Sequence, residues 1–118
     1  MNVSTYRFSL DLDKQDSQEY VTVRQGDTAK CLSVLIKESG TPYIITDGTA
    51  AVLSAKKPDG TYITADCTIT EENRVEVVLP ATFTANVGIL ECCIQLTEDS
   101  AALSSPPFAI NVEDKPTA

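Results

Sequence analysis

The side chains in this sequence that could do chemistry are four cysteines and 17 carboxylates, with no histidine among the 118 residues. Without an imidazole there is no Ser-His-Asp triad, no Cys-His dyad, no His-based zinc site and no histidine pH switch. The cysteines stand at 31, 67, 92 and 93. They form neither CxxC pairs nor a zinc-ligand spacing. Cys92 and Cys93 are adjacent, so in a strand they point to opposite faces. All four are expected to be free thiols acting as small apolar residues. Two carboxylates can serve glycosidase-type acid–base chemistry, but most acids here alternate with apolar residues, as on a solvated strand face. Asp11, Asp13, Asp16 and Glu19 lie close together in sequence, and calcium is the ion such a group would take. They lack the EF-hand spacing and its glycine, so a solvated loop is expected. No nucleophile elbow and no phosphate-binding glycine loop occurs. The residues point to no enzyme: no catalytic, cofactor or metal site is expected.

The charge narrows the partners. Nine basic residues against 17 acidic ones give −8. Phosphate neutralisation needs clustered Lys and Arg, so nucleic acid is not expected. An anionic membrane surface is disfavoured for the same reason, and no apolar stretch approaches the ~20 residues that span a bilayer. The start, Met1-Asn2-Val3-Ser4-Thr5-Tyr6-Arg7, lacks a basic run followed by an apolar one, so no secretory signal is expected and the chain is expected to be made in the cytoplasm.

The elements that would position any site read as strands. Tyr6, Phe8, Leu10 and Leu12 alternate with Arg7, Ser9, Asp11 and Asp13. The same period of two runs through Leu32, Val34 and Ile36; Ile63, Ala65, Cys67 and Ile69; Val75, Val77 and Leu79; Leu90, Cys92, Ile94 and Leu96; and Phe108, Ile110 and Val112. This is the mark of strands dry on one face and wet on the other. Turn chemistry falls between the runs, at Gln25-Gly26-Asp27, Ser39-Gly40-Thr41-Pro42, Asp47-Gly48, Pro58-Asp59-Gly60, Glu72-Asn73 and Asn86-Val87-Gly88. Pro58-Asp59-Gly60 predicts a hairpin between a strand ending at Lys57 and one starting near Tyr62. Asp27 or Thr28 should bond the backbone of the strand that follows. Residues 82–86 allow one short helical turn. Pro106 and Pro107 should confine the last strand to an edge or delay its start.

These runs predict an all-β fold, an immunoglobulin-like antiparallel β-sandwich of seven to nine strands, as one domain over residues 1–114. Residues 115–118 read as a frayed tail or the start of a linker. In Asn86-Val87-Gly88-Ile89-Leu90-Glu91-Cys92, Leu90 stands where an immunoglobulin corner tyrosine would be and Cys92 where an inter-sheet cysteine would be. Its candidate mate, Cys31, is out of phase with Leu32, Val34 and Ile36. The immunoglobulin disulfide is therefore not expected.

Several segments together resemble the phage baseplate upper protein N-terminal domain family. They are Phe8-Ser9-Leu10-Asp11-Leu12, Val21-Thr22-Val23-Arg24-Gln25-Gly26-Asp27-Thr28, Lys56-Lys57-Pro58-Asp59-Gly60, Gly88-Ile89-Leu90-Glu91-Cys92 and Ser105-Pro106-Pro107-Phe108-Ala109-Ile110-Asn111-Val112. Their order and spacing carry the resemblance; Gly26, Asp27, Pro58, Asp59, Gly60 and Gly88 are the turn residues that match. The resemblance implies a structural module of a phage or prophage tail baseplate, located in the virion after cytoplasmic assembly. Such a module binds other tail or baseplate proteins and anchors a host-adsorption apparatus. Receptor-binding proteins would be reached only through a C-terminal region beyond Ala118, so saccharide binding is not expected of this segment. Tyr20, Tyr43 and Tyr62 are the candidate interface anchors, facing a basic partner patch. The alternative reading is a carbohydrate-binding or adhesion module of a bacterial surface protein, which would share the fold. A monomer or weak dimer is expected for the isolated segment.

Overall fold

The computed structural model describes residues 3–114. The expected tail over residues 115–118 lies outside them. Ten strands and one helical turn follow in order: β1 (Ser4–Asp11), β2 (Tyr20–Arg24), β3 (Lys30–Glu38), β4 (Thr41–Pro42), β5 (Ala50–Lys56), β6 (Tyr62–Ile69), β7 (Val75–Val78), α1 (Ala81–Thr84), β8 (Gly88–Glu98), β9 (Ala101–Ser104) and β10 (Phe108–Glu113). The count is one above the expected seven to nine, and the sequence pattern marks neither the short β4 nor the short β9. β4 spans two residues, and the four of β9 are all exposed, so neither shows an alternation of dry and wet faces.

The hydrogen-bonded path runs β1-β3-β7-β6-β5-β8-β10-β2, with β4 beside β3 and β9 beside β8. It folds into two layers. β6 belongs to both, pairing with β5 over Tyr62–Cys67 and with β7 at Thr68 and Ile69. One layer is then β1-β3-β7 with β4. The other is β5-β8-β10-β2 with β9.

Two pairings depart from the antiparallel expectation: β1 runs parallel to β3, and β2 parallel to β10. The cause is topological. β2 would have separated β1 from β3 but crosses to the other layer, so two strands of like direction become neighbours. A period of two says which face is dry and nothing about the neighbour. The last strand is likewise not an edge. Pro106 and Pro107 precede β10, which pairs on both sides, with β8 and β2. The prolines delay the strand rather than exile it.

The alternating apolar residues meet between the layers. Leu32, Val34, Leu53, Val75, Ile110 and Val112 have no measurable exposure, and each contributes about 1.5–3 kcal/mol by leaving water. Phe8 of β1 meets Phe108 of β10 across the layers, ring centroids 5.2 Å apart in a tilted pair. Cys92 is in this core. Cys31 is buried but outside it, on the outer side of β3 beside Val78 of β7. All four cysteines are free, and for Cys31 and Cys92 the phase of the strand implied it.

Candidate docking surface

Three of the turns singled out in the sequence, at Gly26, Pro58-Asp59-Gly60 and Gly88, gather at one end of the sandwich. At Pro58-Asp59-Gly60 the chain reverses as expected. Gly60 N–H donates to Lys57 O at 2.9 Å and Lys57 N–H to Thr61 O at 2.8 Å, with Gly60 at φ +91. The Asp59 carboxylate accepts from the Thr61 hydroxyl and backbone N–H, which hold its pKa below the ordinary value. Gly88 lies against this turn. Gly26, at φ +87, donates its N–H to Thr84 O, and the Thr84 hydroxyl donates to Asp27 O at 2.7 Å. The 25–28 loop is thus fastened to α1, which leads into Gly88. The Asp27 carboxylate accepts from Arg24 N–H, on the strand before it rather than the one after. The described residues begin and finish at this same end: Ser4 N–H donates to Ala29 O and Gln25 N–H to Glu113 O.

The opposite end is built by the other loops. Asp11 accepts the backbone N–H groups of Asp13, Ser39 and Gly40. Those of Asp13 and Gly40 do most to depress its pKa. Asp13 accepts the Ser39 hydroxyl. This acidic loop is therefore occupied with closing its own turn. Asn73, at φ +63, accepts Ile45 N–H and donates to Tyr43 O, which ties the 43–45 segment to the β6–β7 turn. The hollow beside it, about 890 Å³, is lined in part by Asp47, Asp66 and Glu71. Among the described residues no three His, Cys, Asp or Glu side chains stand close enough to hold one metal ion.

Between the two ends lies a broad sheet face. Register places Tyr62 beside Lys56, Lys56 beside Glu91, Glu91 beside Ala109, and Ala109 beside Tyr20. This is one row across five strands. Tyr62 is 69% and Tyr20 49% exposed, and four strand spacings of ~4.8 Å set them about 19 Å apart. Ile89 of β8 projects from the neighbouring row, half exposed, opposite Asn111. The third tyrosine is not with them. Tyr43 is half-buried at the far end, packed against the core. Lys56, Glu91 and Ile89 belong to the face and were not singled out in the sequence. Their outward phase was readable there; the strand order that aligns them was not.

The other outer face carries a buried polar network. Ser33 of β3 is fully buried. Its hydroxyl donates to Glu76 and accepts from Arg74 Nε at 2.8 Å, while Arg74 also reaches the carbonyls of Ser33 and Phe8. One guanidinium thereby ties β1, β3 and the start of β7.

Residues 4–117 match the family described as the BppU N-terminal domain. Among solved structures, the N-terminal domain of phage TP901-1 ORF48 is similar, with a TM-score of 0.78 and 14% sequence identity, over 94% of this chain and 99% of that one. At that identity the likeness is one of fold. No curated protein matches the sequence.

Proposed function

Because the chain belongs to the BppU N-terminal domain family, a phage baseplate structural family, we propose that it is a non-enzymatic anchoring module holding a host-adsorption apparatus to the tail. The family match over almost the whole chain carries this reading. The fold supports it in a simpler way: stacked layers with self-closed turns make a rigid block.

On this reading residues 1–114 act as one domain in the virion. The face bearing Tyr20, Ile89 and Tyr62 meets a neighbouring tail or baseplate protein, with the two tyrosines as anchors. The excess of acid over base directs the domain to a basic patch on that partner.

The test is retention of purified tail and baseplate proteins on the immobilised chain. At least one should be retained, and Tyr20→Ala and Tyr62→Ala should each weaken it by roughly tenfold or more, about 1.4 kcal/mol. Retention of none at micromolar concentration overturns the reading.

A further inference from the structure

β9 is a short edge strand of four residues, with neither charge nor proline within it. It pairs with β8 alone, Ser104 beside Gln95 through Ala101 beside Glu98. Its sequence is Ala-Ala-Leu-Ser, and all four residues are exposed. Edge strands are ordinarily blunted by lysine, proline, a bulge or a cover, because a row of free N–H and C=O groups templates another strand. Beside this edge opens a pocket of about 220 Å³ between the layers, lined by Tyr43, Leu96, Ala101 and Leu103 with Thr46, Thr49 and Glu98 at its rim. Leu103 is 42% exposed above it. The Glu98 carboxylate accepts both threonine hydroxyls, and Asp99 follows in the β8–β9 turn.

We propose that β9 receives an extended strand of a partner protein, added to the free edge of the sheet, with one apolar side chain in the Tyr43–Leu103 pocket and a flanking Lys or Arg near Glu98 and Asp99. Main-chain hydrogen bonds give such a contact its affinity and the pocket its specificity. The acidic rim selects a basic strand. It also argues against a second copy as the occupant, because each copy carries −8 and like charges across an interface are costly. The site lies at the end of the sandwich away from Gly26, Pro58 and Gly88, and it is separate from the Tyr20–Tyr62 face. The inference rests on the docking reading above only for the origin of the partner.

The probe is a synthetic peptide of alternating valine and lysine, titrated into the isotope-labelled full chain and followed by amide shifts and hydrogen exchange. Residues 101–104 should shift and gain exchange protection. Peptide N-methylated on alternate residues, peptide with glutamate for lysine, and the Leu103→Glu chain should each bind roughly tenfold or more weakly. Shifts centred elsewhere, equal binding of the N-methylated peptide, or shifts at β9 that follow chain concentration without peptide would overturn the proposal. Tail-protein retention separates the two readings. If Leu103→Glu and Ala102→Pro chains, folded by circular dichroism, retain a tail protein as the parent does, docking stands and the edge site falls.

Discussion

Gly88 is packed so closely on Pro58 that a Cβ built at Gly88 would stand 2.7 Å from the proline Cγ. Gly88 also holds φ +141, a conformation that side chains rarely adopt. Two turns 30 residues apart in the chain are thus fitted to each other as one contact. Gly88→Ala should cost about 2–4 kcal/mol, since strained backbone and overpacking add. Pro58→Ala should recover the overpacking part and not the backbone part. Urea unfolding of the two single variants and the double variant measures that coupling.

Arg74 holds a second joint. Removing its guanidinium leaves the buried Ser33 hydroxyl and carbonyl short of donors, which costs about 1–3 kcal/mol. Arg74→Met should therefore lower the urea midpoint clearly. Ser33→Ala should cost less, because it removes the hydroxyl together with its need for partners. Equal midpoints for Arg74→Met and the parent would show that the network contributes nothing.

The Asp11 carboxylate lies below its ordinary value of 3.8, chiefly because the N–H of Asp13 and then that of Gly40 bond its charged form. A depressed acid binds fewer protons in the folded state than in the unfolded one. Its stabilisation is fully present above 3.8 and is lost as pH falls through the lower folded value. Asp11→Asn should be less stable than the parent at about pH 6, and the gap should narrow toward about pH 2. Asp59 carries the same sign, held down first by the Thr61 hydroxyl. Paired unfolding curves at the two pH values decide it.

Burial pushes the Cys92 thiol up to about 12 and the Cys67 thiol up to about 11. It raises Cys31 and Cys93 as well. None is activated as a thiolate nucleophile. Iodoacetamide at about pH 8 should modify the folded chain slowly, with Cys93 first, because it faces outward and is only half-buried. Cys92 should remain protected until unfolding, when all four thiols react without reductant. Mass spectrometry of the labelled chain gives the order.

Much of this molecule was legible in its sequence because the signals are local. The hydrophobic period placed Phe8, Leu10, Leu32, Val34, Ile94 and Ile110 in the core, and all are buried. Proline, aspartate and glycine at 58–60 specified a reversal from their own backbone preferences, and the hairpin is there. The phase of Cys31 against Leu32 excluded a bond to Cys92, and both thiols are free.

What needed the tertiary structure was neighbourhood. A period of two tells each strand which face is dry, but the energy that selects its partner comes from contacts far along the chain. So β1 lies parallel to β3, and the proline-led β10 is internal. The three tyrosines divide for the same reason: strand order puts Tyr20 and Tyr62 at the two ends of one row and leaves Tyr43 at the far end. The polar tie of Arg74 to Ser33, and the closeness of Gly88 to Pro58, exist only once the sheet has closed. The sequence by itself determined which face of most strands is apolar and where the chain turns, because sterics and solvation act within a few residues. Only folding decided which surfaces those turns and strands present together.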